Sequence, residues 1–320
     1  MENFLIIGAG VVGKATGLSL IENRHKTVFL DIDTKKVNDL KKDNLNAVSS
    51  YSELGSYLAD IIMVCVPTPM DVGGMVQLDY LKESLTSLGK QINVFTSKNP
   101  LIVIRSTVPP TTTTNILIPL LESISGLTAG DDFKVCYQPE FLRASSSIED
   151  SKNPWGIVIG EYDKASGDIL EKIYNDIPAT KYRVSIETAE MIKYISNFFN
   201  ALKISFSNEI WLLGKKLGLD ANKALEIASN IAEGYWNNGY GTVGGRPYGG
   251  SCLPKDTAAL SYFTRSIGVQ MPLLDATIDI NSEMIRLATL DEALPAIDPG
   301  PRWKPSPMIA TKIFTHGDVA

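Results

Sequence analysis

The run Gly8-Ala9-Gly10-Val11-Val12-Gly13 restricts the fold more than any other stretch of the chain. It follows the apolar residues 4–7 directly and opens a helical pattern over 14–22; a second apolar run, 27–30, then ends in Asp31. Strand, glycine turn, helix, strand and terminal acid are the successive parts of a dinucleotide-binding βαβ unit. Gly8 permits the tight turn, Gly10 lets the loop backbone at Val11 and Val12 approach a pyrophosphate, and Gly13 lets helix and strand touch. The positive end of the helix dipole adds its attraction for the anion. Asp31 can accept from both ribose hydroxyls and repels a 2′-phosphate, so the cofactor expected is NAD rather than NADP.

The alternation persists. Residues 60–66, 101–107, 134–137 and 156–160 are further strand-like apolar runs separated by helical stretches, which predicts an α/β fold of Rossmann type with a doubly wound parallel sheet. Ligands of such sheets bind beyond the carboxyl ends of the strands, and Thr68, Thr107 and Glu140 fall there. Cys65 and Cys136 fall within strands and read as buried, inert thiols.

Composition narrows the class. At 320 residues the chain has room for about two domains. A net charge of -6 argues against a nucleic-acid binder, which needs a basic face. No apolar run approaches the ~20 residues of a membrane span and the N-terminus carries no basic leader, so a cytoplasmic protein is expected. Three widely spaced cysteines make no disulfide framework, and no Cys or His cluster suggests a metal. His25 and His316 are the only histidines; His25 sits in a polar, turn-like run and is expected in solvent, which leaves no histidine base.

Near Ile186 the texture turns helical. Residues 187–217 contain no proline, and no glycine before Gly214; Ile192, Ile195, Phe199, Leu202 and Phe206 recur at helical spacing as an apolar stripe. Lys193, Asn197, Asn200 and Asn208 form a separate polar stripe. Such a stripe is ordinarily the solvated face, but asparagine is a poor helix former and its repetition asks for a function. Further helices are expected over 221–232 and 271–290. The divisions expected are 1–185 for the NAD-binding domain and 186–290 for an all-α central domain whose long helix supplies a homodimer surface. Residues 291–320, with five prolines from Pro295 to Pro307, read as an extended or disordered tail.

Between the last helices lies Tyr248-Gly249-Gly250-Ser251-Cys252-Leu253-Pro254-Lys255-Asp256. Its glycines bring backbone close to a ligand, and Pro254 marks a helix start. A thiol at that position meets the positive end of the helix dipole, which favours thiolate, so Cys252 reads as a nucleophile.

Taken in order, GAGVVG, VCVPTP, STVPPTTT, QPEFLRA, ETAEMIKYISNFFNALKISFSNE and YGGSCLPKD resemble the UDP-glucose/GDP-mannose dehydrogenase family across residues 4–290. The resemblance implies oxidation of a nucleotide sugar at C6 to a uronic acid with NAD. UDP-glucose is the substrate it favours. GDP-mannose or a UDP-N-acetyl-hexosamine is the alternative, and a weakly active NAD-binding subunit is the reading from another class. It implies that the Cys252 thiolate adds to a C6 aldehyde and that the thiohemiacetal is oxidised to a thioester, which water hydrolyses. Lys193 and Asn197 match the oxyanion donors, Asp256 the carboxylate that works with a water as base, Thr107 the hydroxyl holding that water, and Glu140 the carboxylate of thioester hydrolysis. Phe141, Leu142, Tyr248 and Gly249 match the substrate-binding segments, with Lys203 and Asn208 as further sugar or phosphate contacts. Two departures stand out. Ala144 occupies the position where PEFLR is normally followed by Glu. A third, Rossmann-like domain that closes over the nucleotide is expected to be missing, replaced by residues 291–320, or to be supplied by a separately encoded polypeptide.

Overall fold

The computed structural model describes residues 1–290; the tail expected over 291–320 lies outside the described residues. The chain begins β1 (Asn3–Ile7), α1 (Val11–Glu22), β2 (Lys26–Leu30), α2 (Thr34–Lys42), β3 (Ala47–Val48), β4 (Ala59–Val64), α3 (Asp79–Phe95) and β5 (Thr96–Ile104). It continues α4 (Ile118–Ser125), β6 (Lys134–Tyr137), α5 (Ser147–Lys152), β7 (Ile157–Glu161), α6 (Lys164–Ile173) and β8 (Lys181–Ser185). Helices follow: α7 (Ile186–Leu217), α8 (Ala221–Ile231), the single turn α9 (Glu233–Trp236), α10 (Leu253–Ser266) and α11 (Pro272–Leu290).

The eight strands form one sheet in the order β3-β2-β1-β4-β5-β6-β7-β8. Its central strands are apolar over 4–7, 61–64 and 101–104, where both faces are covered. Leu5, Ile7, Ile62, Val64, Ile102 and Ile104 face one core with Leu81, Leu85 and Leu121 of α3 and α4. Phe4, Ile6, Ile61, Met63, Leu101 and Val103 face the other with Leu20 of α1 and Leu170 of α6. The doubly wound architecture expected is therefore present. One strand departs from the parallel expectation: β7 runs antiparallel to β6, and β8 then pairs parallel to β7.

Chain order reverses between β1 and β4, and this switch point opens the crevice where such sheets bind ligands. β5 ends at Ile104 and not at Thr107, so Thr107 lies in the loop beyond the strand. Cys65 likewise falls one residue past β4, yet stays buried. His25 corrects another expectation. It is half-buried, its Nδ1 accepts from the Glu2 amide (3.2 Å), and its ring meets Phe4 edge-on at 5.0 Å. Burial lowers its pKa.

Two compact units emerge, Met1–Phe198 and the part from Phe199 onward, divided within α7. In the second, Glu209 of α7 accepts from the amides of Leu273 and Leu274 (3.3 Å for the latter) and so satisfies the free N-terminal donors of α11. Gly214 packs against Ala221 where α7 and α8 meet; a β-carbon there would fall 2.6 Å from that of Ala221.

Candidate active site

The three loop glycines do separate jobs. Gly8 has φ +93°, the left-handed region that favours glycine, and a β-carbon on it would lie 2.8 Å from the Cys65 carbonyl oxygen. A β-carbon on Gly13 would fall 1.9 Å from the Gly8 carbonyl oxygen, so helix and turn are in direct contact there. Around Gly10 nothing lies within 4 Å of that position. Gly10 is also the N-cap of α1 and no side chain caps the helix, so the first-turn donors at Val11 and Val12 face an open approach. Asp31, at the end of β2 and 7% exposed, accepts from the Ala9 amide (2.7 Å) and the Asp33 amide (2.9 Å). The acid and the glycine turn are thereby fixed to each other. Lys36 Nζ stands 3.4 Å from the same carboxylate, a cation the sequence reading missed. Open backbone donors at a helix start, with a fixed acid at the next strand end, fit a dinucleotide.

Across the switch point, Thr68 donates to the Thr107 carbonyl (2.7 Å) and Ser106 to the Val66 carbonyl (2.6 Å). The loops after β4 and β5 are thus laced together, which places Thr68 and Thr107 side by side.

The first turns of α7 gather two further loops. Lys193 is only 5% exposed; its ammonium donates to the Glu140 carbonyl (2.6 Å) and to Glu140 Oε1 (2.9 Å), and lies 5.6 Å from the Phe141 ring centre. Glu140 Oε2 accepts from the Leu142 amide (2.7 Å), so Glu140, Phe141 and Leu142 are held as one turn. Three residues before Lys193, Glu190 is fully buried and accepts from the Thr113 amide (2.8 Å); burial pushes its pKa up. Spacing of three puts Glu190 and Lys193 on one face, and one turn further Asn197 stands exposed. That face ties the Thr107–Thr113 loop and the Glu140 loop to a single helix. The stripe reading needs revision here: Lys193 of the polar stripe is buried, whereas Ile195, Phe199 and Phe206 of the apolar stripe are exposed.

In the second unit, Cys252 is the exposed N-cap residue of α10, with Pro254 in the first turn and no side-chain capping bond. Asp256 bonds through its amide to the Cys252 carbonyl (2.8 Å), and its carboxylate pairs with Lys255 at 3.3 Å, both well exposed. Gly250 has φ +80°, while Gly249 has open space around it. Tyr248 is pinned at both backbone groups by the buried Asn281 of α11 (2.7 and 3.1 Å). Nothing in the sequence pattern singled out Asn281. Glu190 could have been found from its spacing to Lys193.

The three thiols differ sharply. Burial pushes Cys65 up to about 11 and Cys136 up to about 12, so both stay in the thiol form near neutral pH. Native protein is therefore expected to react with one equivalent of an aromatic disulfide reagent, at Cys252, and with three after unfolding. A second fast equivalent in the native state would contradict this burial.

Residues 44–178 match the NAD-binding domain of the UDP-glucose/GDP-mannose dehydrogenase family, and residues 187–283 match its central domain. GDP-mannose 6-dehydrogenase of Pseudomonas syringae pv. syringae is 34% identical over 308 residues, covering 88% of this chain and 68% of that one. UDP-glucose 6-dehydrogenase AglM of Haloferax volcanii is 32% identical over 305 residues, with 86% and 68% covered. Among solved structures, a ternary complex of GDP-mannose dehydrogenase from Pseudomonas aeruginosa superposes with a TM-score of 0.83 at 32% identity, covering 91% of this chain and 72% of that one.

Proposed function

Because the chain belongs to the UDP-glucose/GDP-mannose dehydrogenase family, whose NAD cofactor the glycine turn fits, we propose that it oxidises a nucleotide sugar at C6 through a covalent cysteine intermediate. The observation that carries the reading is the Cys252 thiol, exposed at an uncapped helix N-terminus in a chain whose other two thiols are buried. NAD, when bound along Gly8–Gly13 with its ribose toward Asp31, supplies the hydride acceptor.

The remaining roles fall to side chains. Once C6 is at the aldehyde level, the Cys252 thiolate adds to the carbonyl carbon, and the oxygen becomes an oxyanion. Lys193 has three ammonium donors and gives two to Glu140, which leaves one for that oxyanion, with the Asn197 amide beside it. Loss of the second hydride leaves a thioester. Water attacks it, with Glu140 taking the proton, and the Cys–C bond breaks to return the thiolate and release the uronate. From the motif matches, the base for the first oxidation is assigned to Asp256, and the holding of a water to the Thr107 hydroxyl. Sugar binding is assigned, from the same motif matches, to Phe141 and Leu142 of the first unit and to Tyr248 and Gly249 of the second.

The motif resemblance put UDP-glucose first. The GDP-mannose relatives and the TM-score of 0.83 favour GDP-mannose as the first donor to try, and the buried Lys193–Glu140 pair is compatible with either. We place the enzyme as a cytoplasmic homodimer. Its thiols are free, as in a reducing compartment, and α7 exposes Ile195 (54%), Phe199 (56%) and Phe206 (40%), at helical spacing, as an apolar face for a second copy. Among the described residues no helix is long and apolar enough to cross a membrane.

Incubation with NAD and GDP-mannose, UDP-glucose or a UDP-N-acetyl-hexosamine is expected to give two NADH per sugar consumed with one donor. Absence of NADH with all three donors refutes the activity. NAD-dependent thermal stabilisation without any further shift from a sugar nucleotide would instead identify an NAD-binding subunit.

A further inference from the structure

The loop after β5 carries Thr107 and is fastened at both ends. At its start Thr68 donates to the Thr107 carbonyl (2.7 Å), and the next residue, Val108, is fully buried. At its far end Glu190 of α7, itself 0% exposed, accepts from the Thr113 amide (2.8 Å). Pro109, Pro110 and Thr111 lie between. The prolines fix φ at about −65°, so they transmit position along the chain and do not absorb it. Thr111 has φ +72°, the left-handed region, where a β-branched side chain is strained. Its carbonyl accepts from the Asn115 amide (2.9 Å), so the strained residue leads straight into the helical turn over Thr113–Leu117. Such a conformation persists only where the surroundings hold it, and Glu190 holds it from outside the loop.

The clamp stands on a fixed base. Ile186 and Ala189, in the first turn of α7, are buried against the sheet, and a β-carbon on Gly160 of β7 would fall 2.6 Å from that of Ala189. Only Oε1 of Glu190 is engaged. Oε2 makes no hydrogen bond, and Lys193, three residues on, gives its ammonium to Glu140 (2.9 Å). The carboxyl therefore serves as acceptor for one backbone N–H and not as half of an ion pair. Burying a carboxyl for a single hydrogen bond costs more than burying an apolar side chain of its size, so its presence asks for a use that stability does not supply.

We propose that Glu190 is a positioning residue for the oxidation: through Thr113 it locks the Thr111 turn and holds the Thr107 hydroxyl in place against Lys193 on the same helix. This rests on the proposed oxidation, in which Thr107 and Lys193 both take part. Glu190 is closed to solvent and reaches neither substrate nor cofactor. Three residues apart on one anchored turn, Glu190 and Lys193 move as a unit, so one rigid segment fixes both the hydroxyl and the ammonium.

Three variants of the full chain test it. Glu190→Met keeps the length and removes the acceptor, Glu190→Asp withdraws it by one methylene, and Glu190→Gln keeps the acceptor oxygen and breaks no bond at Oε2. In the Met and Asp variants, hydrogen exchange over residues 107–117 is expected to quicken at least about tenfold. Their kcat is expected to fall at least about tenfold, with KM for NAD and for the sugar nucleotide within about twofold of the parent. Glu190→Gln is expected to bring exchange and kcat back to within about threefold. If Glu190→Met does not fold, Glu190→Asp gives the reading alone. Faster exchange with parent kcat makes Glu190 structural only and overturns the proposal. Parent-like exchange and kcat in the Met and Asp variants overturn it too, as does a Gln variant as slow as the Met variant. A parent protein that makes no NADH from any of the three donors is a separate failure: it removes the oxidation itself, and the positioning role with it, whatever the exchange shows.

Discussion

With Cys252 replaced by alanine, conversion of the nucleotide sugar to its uronate is expected to fall by at least about 10³-fold, while the fold is kept. The substitution touches an exposed residue whose side chain caps nothing, so stability is expected to stay within about 0.5 kcal/mol of the parent. The chemical loss follows from the second oxidation. An aldehyde carbon has no C–H next to an O–H until a nucleophile adds to it, and the added atom must later leave. No other thiol can substitute, because Cys65 and Cys136 are buried and held in the thiol form. Asp256 stands nearby on the first turn of α10, but it is paired with Lys255 and is a poor nucleophile toward an aldehyde. NADH stoichiometry and product mass are the measurements. The variant is expected to give at most one NADH per sugar, with product at the aldehyde level. A Cys252→Ala protein that still yields two NADH and the uronate at the parent rate would eliminate the covalent route and leave only the family fold.

The parts of this architecture that were readable in advance are those where one local pattern carries both conformation and burial. β1, β4 and β5 are apolar on both faces, and the glycine turn names its own conformation. β8 escaped notice because an edge strand of Lys181, Tyr182, Arg183, Val184 and Ser185 shows no apolar run; it is stabilised by Arg183 bonding Glu161, Asp168 and Glu171 across its neighbours. Strand direction escaped as well. Apolar content is the same whichever way β7 runs, and the pairing of Cys136 with Glu161 and Tyr137 with Gly160 is visible only in the structure. On α7 the periodicity was correct but the burial was not. Lys193 is buried because Glu140 supplies its counter-charge, and a contact 53 residues away leaves no trace in helical spacing. The same holds for Asn281 beneath Tyr248 and for Glu190 beneath Thr113, polar residues whose partners become visible only once the loops are in place.

Gly13→Ala and Gly10→Ala, two identical chemical changes in one turn, are expected to part company. At Gly13 the new methyl would sit 1.9 Å from the Gly8 carbonyl oxygen, 3.1 Å from its carbon and 3.2 Å from Ile6 Cγ2. The first two are backbone atoms and cannot rotate away. Gly8 cannot shift either, since it holds φ +93° against the Cys65 carbonyl and its amide is bonded to Leu30 (2.8 Å). Helix α1 must therefore move off the sheet, at a cost of about 1–3 kcal/mol or more, carrying the N-terminal donors at Val11 and Val12 away from the crevice. At Gly10 nothing lies within 4 Å, so the methyl fits the protein and stability is expected to change by no more than about 0.5 kcal/mol. The methyl there occupies the space through which a pyrophosphate reaches those same donors. Thermal unfolding paired with NAD titration separates the cases. Gly13→Ala should lose both stability and NAD binding, whereas Gly10→Ala should unfold at the parent temperature and bind NAD at least about tenfold more weakly, equivalent to about 1.4 kcal/mol. Parent-like NAD affinity in Gly10→Ala would mean that the cofactor does not cross this turn. The open space around Gly10 would then need a different occupant.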